Sequence, residues 1–544
     1  MTEHRSNAPF HDWVPRPLGI LILLLMFVPP TFSGGAYLSN ISEMAGSTGM
    51  WTEDIQLAAI FTSIGMCLFP PFMVRFLEAR RVRETYIRCF ALLIVLNLCC
   101  AVTTSLPVML GACLLTGIVR IIVMLNCTFT IAPYVTGMDT LAMFTMTQEP
   151  PPHVQYGLER KRTMLMPLLY FYILIISQAS NMLTAWFAWH YRWQDAYYAV
   201  VVMLAVCIVV AICTMKDERK PVRYRFEWDM LADMLAMGVA LCAMSYVLVY
   251  GKTLDWFHSG SIRLSTALSL LGTAVVVWRM AHHGAHRYLP LEIFSYRNVW
   301  MSVLLFLITM VFNSANIFVG TYAHLSTSVS NLHGAFLSRW AIVGCVLGFL
   351  LSIVLVLLKV RFRVIFVAGF LLMASANAYL YFQYQTMGLF SNLTLPVILN
   401  YTGLLMLYSL VAAFGMKSLP SRYLATFVFL MIWMRNAIAP VVGSSIYANW
   451  LNDRQQYHIT RLAHDMEPGN TAAVSAYSAS RMMAQAAGKG SLEAEQMAAT
   501  VLRGRVAVQA AIVAMKEITG QTVILLLVTS VAVWFLPYHR EETT

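Results

Sequence analysis

The chain has 544 residues, 59% from the hydrophobic set and 12% charged, with a mean hydropathy of +0.66, whereas a soluble domain carries about 25% charge. Apolar runs of about 20 residues follow one another nearly end to end, which excludes a string of water-soluble domains. The net charge of +11 does not point to nucleic acid, because the basic residues sit in short clusters between the apolar runs, where they orient helices in a bilayer.

In chain order, hydropathy predicts spans at 17–38, 54–74, 86–106, 108–134, 164–187, 195–214, 230–250, 262–279, 299–322, 335–358, 363–382, 396–416, 423–449 and 519–536. This is an all-α polytopic membrane protein with 14 spans. The first run, Leu18 to Val28, has basic residues before it and small residues after it, as a secretory signal would; with so many spans following, an uncleaved first helix is expected. The basic residues settle the orientation. Twenty-one lie in one set of alternate short loops, among them Arg80, Arg160, Lys220, Arg287, Lys359 and Lys417, against Arg192, Lys252 and Arg263 in the other. The first set, and with it both termini, is expected in the cytoplasm.

Two stretches are not predicted to span. Residues 135–163, with the run Pro150-Pro151-Pro152, are expected to be irregular or interfacial on the cytoplasmic side. Residues 450–518 form an extracytoplasmic insert rich in Ala, Met, Gln and Glu. Its breakers Pro468-Gly469 and Gly488-Lys489-Gly490 divide two amphipathic helices, at about 471–487 and 491–517. The expected apolar stripes are Val474, Tyr477, Met482 and Met483 in the first helix and Met497, Val501, Val508 and Ile512 in the second. A faint repeat links the turn Met73-Val74-Arg75-Phe76 after span 2 to Lys359-Val360-Arg361-Phe362 after span 10. It places two six-helix bundles at 1–214 and 299–544 with two inserted helices in 215–298, although a basic turn between any two helices would look similar.

All ten cysteines fall within spans, so neither a disulfide framework nor a metal site is expected. His282, His283 and His286 lack further ligands at zinc-like spacing. No Walker lysine motif is present, which argues against ATP-driven transport within the chain, and no cofactor is expected. The acidic residues all lie in loops or near span ends. Arg120, Arg339 and Arg435, in contrast, lie within spans. An intramembrane arginine costs at least about 2.5 kcal/mol, so each is expected to face the bundle interior, a water-filled cavity or a partner; Arg339 is near enough to its span's end to snorkel. Gln178, Ser180 and Asn181 in span 5, Asn313 and Asn316 in span 9, and Asn436 beside Arg435 are polar at helical depth. Singly they read as interhelical hydrogen bonds. With the arginines they predict a polar substrate cavity between helices.

From residue 226 the sequence resembles the fourteen-helix drug:proton antiporters of the major facilitator superfamily, of the EmrB/QacA type. The resemblance rests on Phe226-Glu227-Trp228-Asp229, Gly251 with Asp255-Trp256 and Ser259, Leu289-Pro290-Leu291, and Phe294-Ser295-Tyr296-Arg297. Upstream, Gly117 and Arg120 resemble the span 4 arginine motif, and Arg192-Trp193 fits the tryptophan before span 6. Downstream, Arg435 with Gly443 and Ser444 resembles the span 13 pattern. The chain departs from the family where the Gly-Pro motif of span 5 would fall, since Ile176 to Trp186 contains neither residue; the acidic residue early in span 1 is also absent.

The resemblance implies a major facilitator fold and a proton-coupled secondary transporter of the bacterial inner membrane, exporting amphipathic or toxic small molecules by multidrug-efflux chemistry. It also implies that the insert meets a periplasmic adaptor leading to an outer-membrane channel. With no acid at mid-span, the proton carrier would be a rim carboxylate such as Glu43, Asp54 or Asp139. A carrier of one anionic metabolite, with Arg120 and Arg435 as counter-charges, is the alternative. A polytopic membrane enzyme is a remoter one, for the large outer loop lacks a cluster of acidic or histidine residues.

Single-cysteine labelling from the two sides of the membrane checks the topology. Cysteines at Lys220 and Arg287 should be reached from the cytoplasm and those at Lys252 and Lys489 from outside; any exchange of sides would remove the fourteen-span arrangement.

Overall fold

The computed structural model describes residues 9–73, 76, 81–136, 152–217, 228–282, 290–327, 331–386, 388–417, 419–464, 466 and 469–538. In hydrocarbon each backbone N–H and C=O must find its partner within the segment, and helices meet that demand. Among the described residues the only β pairing is an isolated bridge between Phe10 and Met215. The helices are α1 (Arg16–Phe32), α2 (Thr52–Phe72), α3 (Val82–Val102), α4 (Leu106–Thr136), α5 (Pro152–His190), α6 (Asp195–Thr214), α7 (Trp228–Tyr250), α8 (Gly260–His282), α9 (Arg297–Ser326), α10 (Leu332–Leu357), α11 (Phe362–Gln383), α12 (Phe390–Met416), α13 (Arg422–His464), α14 (Thr471–Ala486) and α15 (Ser491–Phe535). Thirteen of them are long and apolar enough to cross a membrane, and α1 is a shorter apolar helix of 17 residues. The chain is a multi-pass membrane protein.

Several expected boundaries are corrected. The first span ends at Phe32 instead of 38, because Pro29 and Pro30 interrupt its last turn and the chain bends through Ser33 and Gly35 into the short helix Ile41–Thr48. The part of 135–163 that is described is helical, not irregular: α5 starts at Pro152, with proline in the first turn, where its missing N–H has no partner to lose. The insert is not a detached hairpin. α13 runs on to His464, and α15 is one helix of 45 residues, about 67 Å at 1.5 Å per residue, against a hydrocarbon core of about 30 Å.

The stripe expected on the insert is revised in part: Ile512 is buried and Val508 packs beside that core, as expected, but most of the remainder differs. α14 packs on α15 through Ala473, Ala484, Ala494 and Ala498, all buried, while Val474, Met482, Met483 and Met497 are exposed. Small side chains let the two backbones approach closely, which turns the larger apolar residues outward. Arg481 pairs with Glu495 at 2.9 Å across this hairpin. Glu517 of α15 meets His458 at 2.9 Å and Arg454 at 3.3 Å on α13.

One core is built from residues of the first six spans, between Phe10 and Met215. α2 packs along α4, α3 along α6, and α1 against α4. The segment before α1 is tied to the end of α6 by the Phe10–Met215 bridge and by Lys216 Nζ, 2.7 Å from Asp12. The donated hydrogen bond and the charge of Lys216 hold the Asp12 carboxyl below the usual carboxylate range. A second core surrounds α12, the most enclosed span, with α10, α11 and α9 around it and α15 against α11. α7 and α8 pack on each other, and α7 also lies against α2. Near the end that carries the basic loops, Arg279 of α8 forms an ion pair with the buried Asp233 of α7.

In the first core α2 and α4 approach each other backbone to backbone at two glycines. A Cβ at Gly65 would collide with the Leu114 carbonyl oxygen, and one at Gly117 with the Thr62 carbonyl oxygen. Gly117→Ala should force these backbones apart and destabilise the protein by about 1–3 kcal/mol. Gly504→Ala, with open space around it, is the control. Thermal unfolding of the purified variants measures this; an unchanged midpoint for Gly117→Ala would show that the crossing can relax.

Candidate functional site

A cavity of about 390 Å³ lies between elements of both cores. It is lined by Leu24 and Phe27 of α1, Ile121 to Ile131 of α4, Lys161 to Ile173 of α5, Ala412 and Met416 of α12, and Leu424 to Asn436 of α13. On α4, α5, α12 and α13 the lining residues occupy the half nearer the basic loops, or reach from it to the middle; on α1 they lie at and just past its midpoint. The walls are almost entirely Leu, Ile, Met and Phe; Thr128, Lys161, Tyr170, Tyr172, Arg435 and Asn436 are the polar exceptions. No Asp or Glu lines the cavity among the described residues.

Arg435 sits at its inner end. The residue lies in a π-helical turn, Met434–Ile438, that interrupts α13. Such a turn widens the helix locally and re-aims side chains. The Arg435 guanidinium lies 5.9 Å from the centroid of the Tyr170 ring, a cation–π contact. Tyr170 in turn packs against Tyr408, which stacks on Phe306 at 4.9 Å. Arg120, next to the lining residue Ile121, comes within electrostatic range of Arg435 and of Tyr37. Its buried Nε has no hydrogen-bond partner. The two deep arginines thus lie within electrostatic range of each other, one on each side of the boundary between the cores.

The other polar residues form a seam beyond the cavity, farther from the basic loops. Gln178 donates to the Tyr401 hydroxyl at 3.1 Å, and Asn316 donates to the same oxygen at 3.4 Å. Asn400 donates to Asn313 at 3.3 Å. α5, α9 and α12 are stitched together by these contacts. Asn316 ends a tight turn, Ser314–Asn316, that breaks α9 and aims its amide inward.

Some expected residues lie elsewhere. Asn181 is exposed. Arg339 is exposed as well, lying over Phe336 and Trp340 at 5.2 and 6.0 Å, as a snorkelling arginine does. Asp54 accepts a hydrogen bond from the Trp51 backbone N–H at 2.9 Å, closing the first turn of α2, and another from the Tyr250 hydroxyl. Glu43 accepts from Ser42 at 2.8 Å on the short helix Ile41–Thr48. Neither carboxylate lines the cavity. Asp139 lies outside the described residues, as do His283 and His286. Among the described residues no group of three His, Cys, Asp or Glu is placed to hold a metal ion. Sequence reading missed Tyr401, Asn400 and Tyr170. Asn400-Tyr401 was a legible signal, a polar pair inside an otherwise apolar span.

No family model and no curated protein matches the sequence. Solved structures do resemble the fold. The nucleoside transporter NupG, as a D323A mutant, aligns with a TM-score of 0.52 and 11% identity over 94% of this chain and 99% of its own. A peptide transporter POT in complex with sulfate aligns at 0.53 and 13% identity, over 95% and 94%. Tetrameric PepTSo2 aligns at 0.51 and 11%, over 95% and 98%. At such identities the likeness is one of fold, and the chain has the major facilitator fold.

Proposed function

We propose that the protein is a proton-coupled secondary transporter that exports amphipathic small molecules from the cytoplasm by alternating access. The observation that carries this reading is the cavity. Its 390 Å³ fall within the range of small-molecule sites, about 300–1,000 Å³. Its walls are apolar with a few polar groups at one end, which matches a ligand with an apolar body and a polar head. Its place between two cores suits rocking of one bundle against the other. The solved transporters of this fold support a carrier role but say nothing about the substrate. Inward proton movement would drive export, each charge contributing about 2.3 kcal/mol per 100 mV. Asp54, at the rim beside Tyr250, is the carboxylate to test as proton carrier.

Proteoliposomes with and without an imposed pH gradient, loaded with a panel of amphipathic dyes, test the proposal. Transport should require the gradient. Arg120→Ala should reduce it by about tenfold or more while membrane-inserted protein stays abundant, and Arg120→Lys should restore it only in part, because the planar fork is lost. Gradient-independent transport would remove proton coupling, and normal transport by Arg120→Ala would make that arginine structural.

The hairpin of α14 and the outer part of α15 is proposed as the seat of a periplasmic adaptor that continues to an outer-membrane channel, because Val474, Met482, Met483, Leu492 and Met497 are exposed on it. A deletion of residues 455–515 bridged by a short Gly/Ser link should leave transport in proteoliposomes intact while abolishing resistance in cells and co-purification of an adaptor. Loss of transport in proteoliposomes by a folded deletion would instead make the hairpin a cap over the cavity mouth.

A further inference from the structure

We propose that the ligand of the apolar cavity is an amphipathic anion, with its negative head at Arg435 and its apolar body against α5 and α13. The inference rests on the cavity being the substrate site and adds the charge of the substrate. Three observations bear on it.

The first is the sign of the lining. Its charged side chains are Arg435 at the inner end and Lys161 toward the basic loops, and no Asp or Glu is among the described residues that line it. A cationic head placed at the inner end would meet the like charge of Arg435 with no carboxylate of the lining to offset it. The second is the state of Arg435 itself. Among the described residues no carboxylate pairs with it, and its contact is with the face of the Tyr170 ring. A contact with a ring face uses none of the guanidinium N–H donors, and those donors match a carboxylate, sulfonate or phosphate.

The third is Arg120, which reaches the same region from the other core. Its Nε is buried without a hydrogen-bond partner, and the charge of Arg435 acts on it. Two like charges within electrostatic range of each other in a bundle interior are stabilised by an anion that both can approach. The remainder of the cavity, walled by side chains such as Phe27, Leu165, Leu169, Phe427 and Met431, offers a small inorganic anion nothing to bind. It suits an apolar body attached to the charge.

Calorimetric titration of the full-length protein in lipid nanodiscs, with empty nanodiscs as blank, tests the assignment. The probes are 8-anilinonaphthalene-1-sulfonate, its neutral parent N-phenyl-1-naphthylamine, the tetraphenylphosphonium cation and inorganic sulfate. The sulfonate should bind roughly tenfold or more tightly than the neutral parent, the gain of a charge-assisted hydrogen bond. The phosphonium should bind most weakly of the organic probes, and sulfate at equal concentration should not displace the sulfonate. Arg435→Gln should bring the sulfonate down to the affinity of its parent, and Arg435→Lys should keep part of the preference.

A phosphonium that binds as tightly as the sulfonate, displacement by equimolar sulfate, or a Gln variant with its full sulfonate preference would each overturn the proposal. If the neutral parent binds and the sulfonate gains nothing, the charge assignment alone fails. If no organic probe binds above the blank, the amphiphile reading of the cavity fails with it. Should Arg435→Gln not fold, the ranking of probes on the unaltered protein decides.

Discussion

Helices in hydrocarbon gain little by burying one leucine against another, since lipid tails are equally apolar, and the fold therefore depends on close backbone approach and on interhelical hydrogen bonds. The glycine crossing of α2 on α4 is the plainest case. Gly65 and Gly117 leave room for carbonyl oxygens where a methyl group would not fit. Gly344 and Gly348 do the same for α10 on α12, and the Thr402 hydroxyl donates to the Gly344 carbonyl at 3.1 Å. Arg120 lies one helical turn past Gly117, so the crossing that packs the first core also sets the depth and direction of its deepest charge.

The two ends of the bundle are held by different means. On the side of the basic loops the cores separate around an apolar cavity; beyond it Gln178 of α5 reaches across to the Tyr401 hydroxyl of α12 at 3.1 Å, while Asn316 of α9 bonds the same oxygen from within the second core at 3.4 Å. Neutral hydrogen bonds of this kind contribute modestly, about 0.6 kcal/mol each on average between membrane helices. Hydrogen bonding therefore adds little to holding this seam, along which α5 also packs against α10 and α12. The Asp233–Arg279 pair is of another kind: one partner is buried, and separating the two would strand a charge. It keeps α7 and α8 together as a unit.

The spans were legible because about 20 apolar residues are a strong signal, and basic loops punctuate them. Helix ends were less so. Hydropathy marks where a helix leaves the hydrocarbon, not where it stops, and α13 and α15 continue well beyond. The Ala-rich hairpin misled the reading of its stripe, because alanine carries little hydrophobicity although it packs most closely. Within the site, the depth of Arg120 and Arg435 could be read from spacing alone. That the Tyr170 ring lies beneath one of them, and that the Asp54 carboxylate closes a helix turn at Trp51, depends on contacts between residues distant in sequence or on local cap geometry, which no pattern of residue types encodes.

The 45-residue α15 has a mechanical consequence. It is unbroken from the outer hairpin to the end of the last span, so it transmits tilt as a stiff rod, and roughly 35 Å of it stands outside the hydrocarbon. A reorientation of its inner half by about 10° would sweep the far tip through about 6 Å, by the geometry of a rigid helix rising 1.5 Å per residue. Its bracing by Glu517 against Arg454 and His458 couples α13, the helix that carries Arg435, to the same rod. Occupancy at the centre of the bundle would thereby be displayed as a lateral displacement on the exposed surface, an output stroke that anything seated on the hairpin would feel.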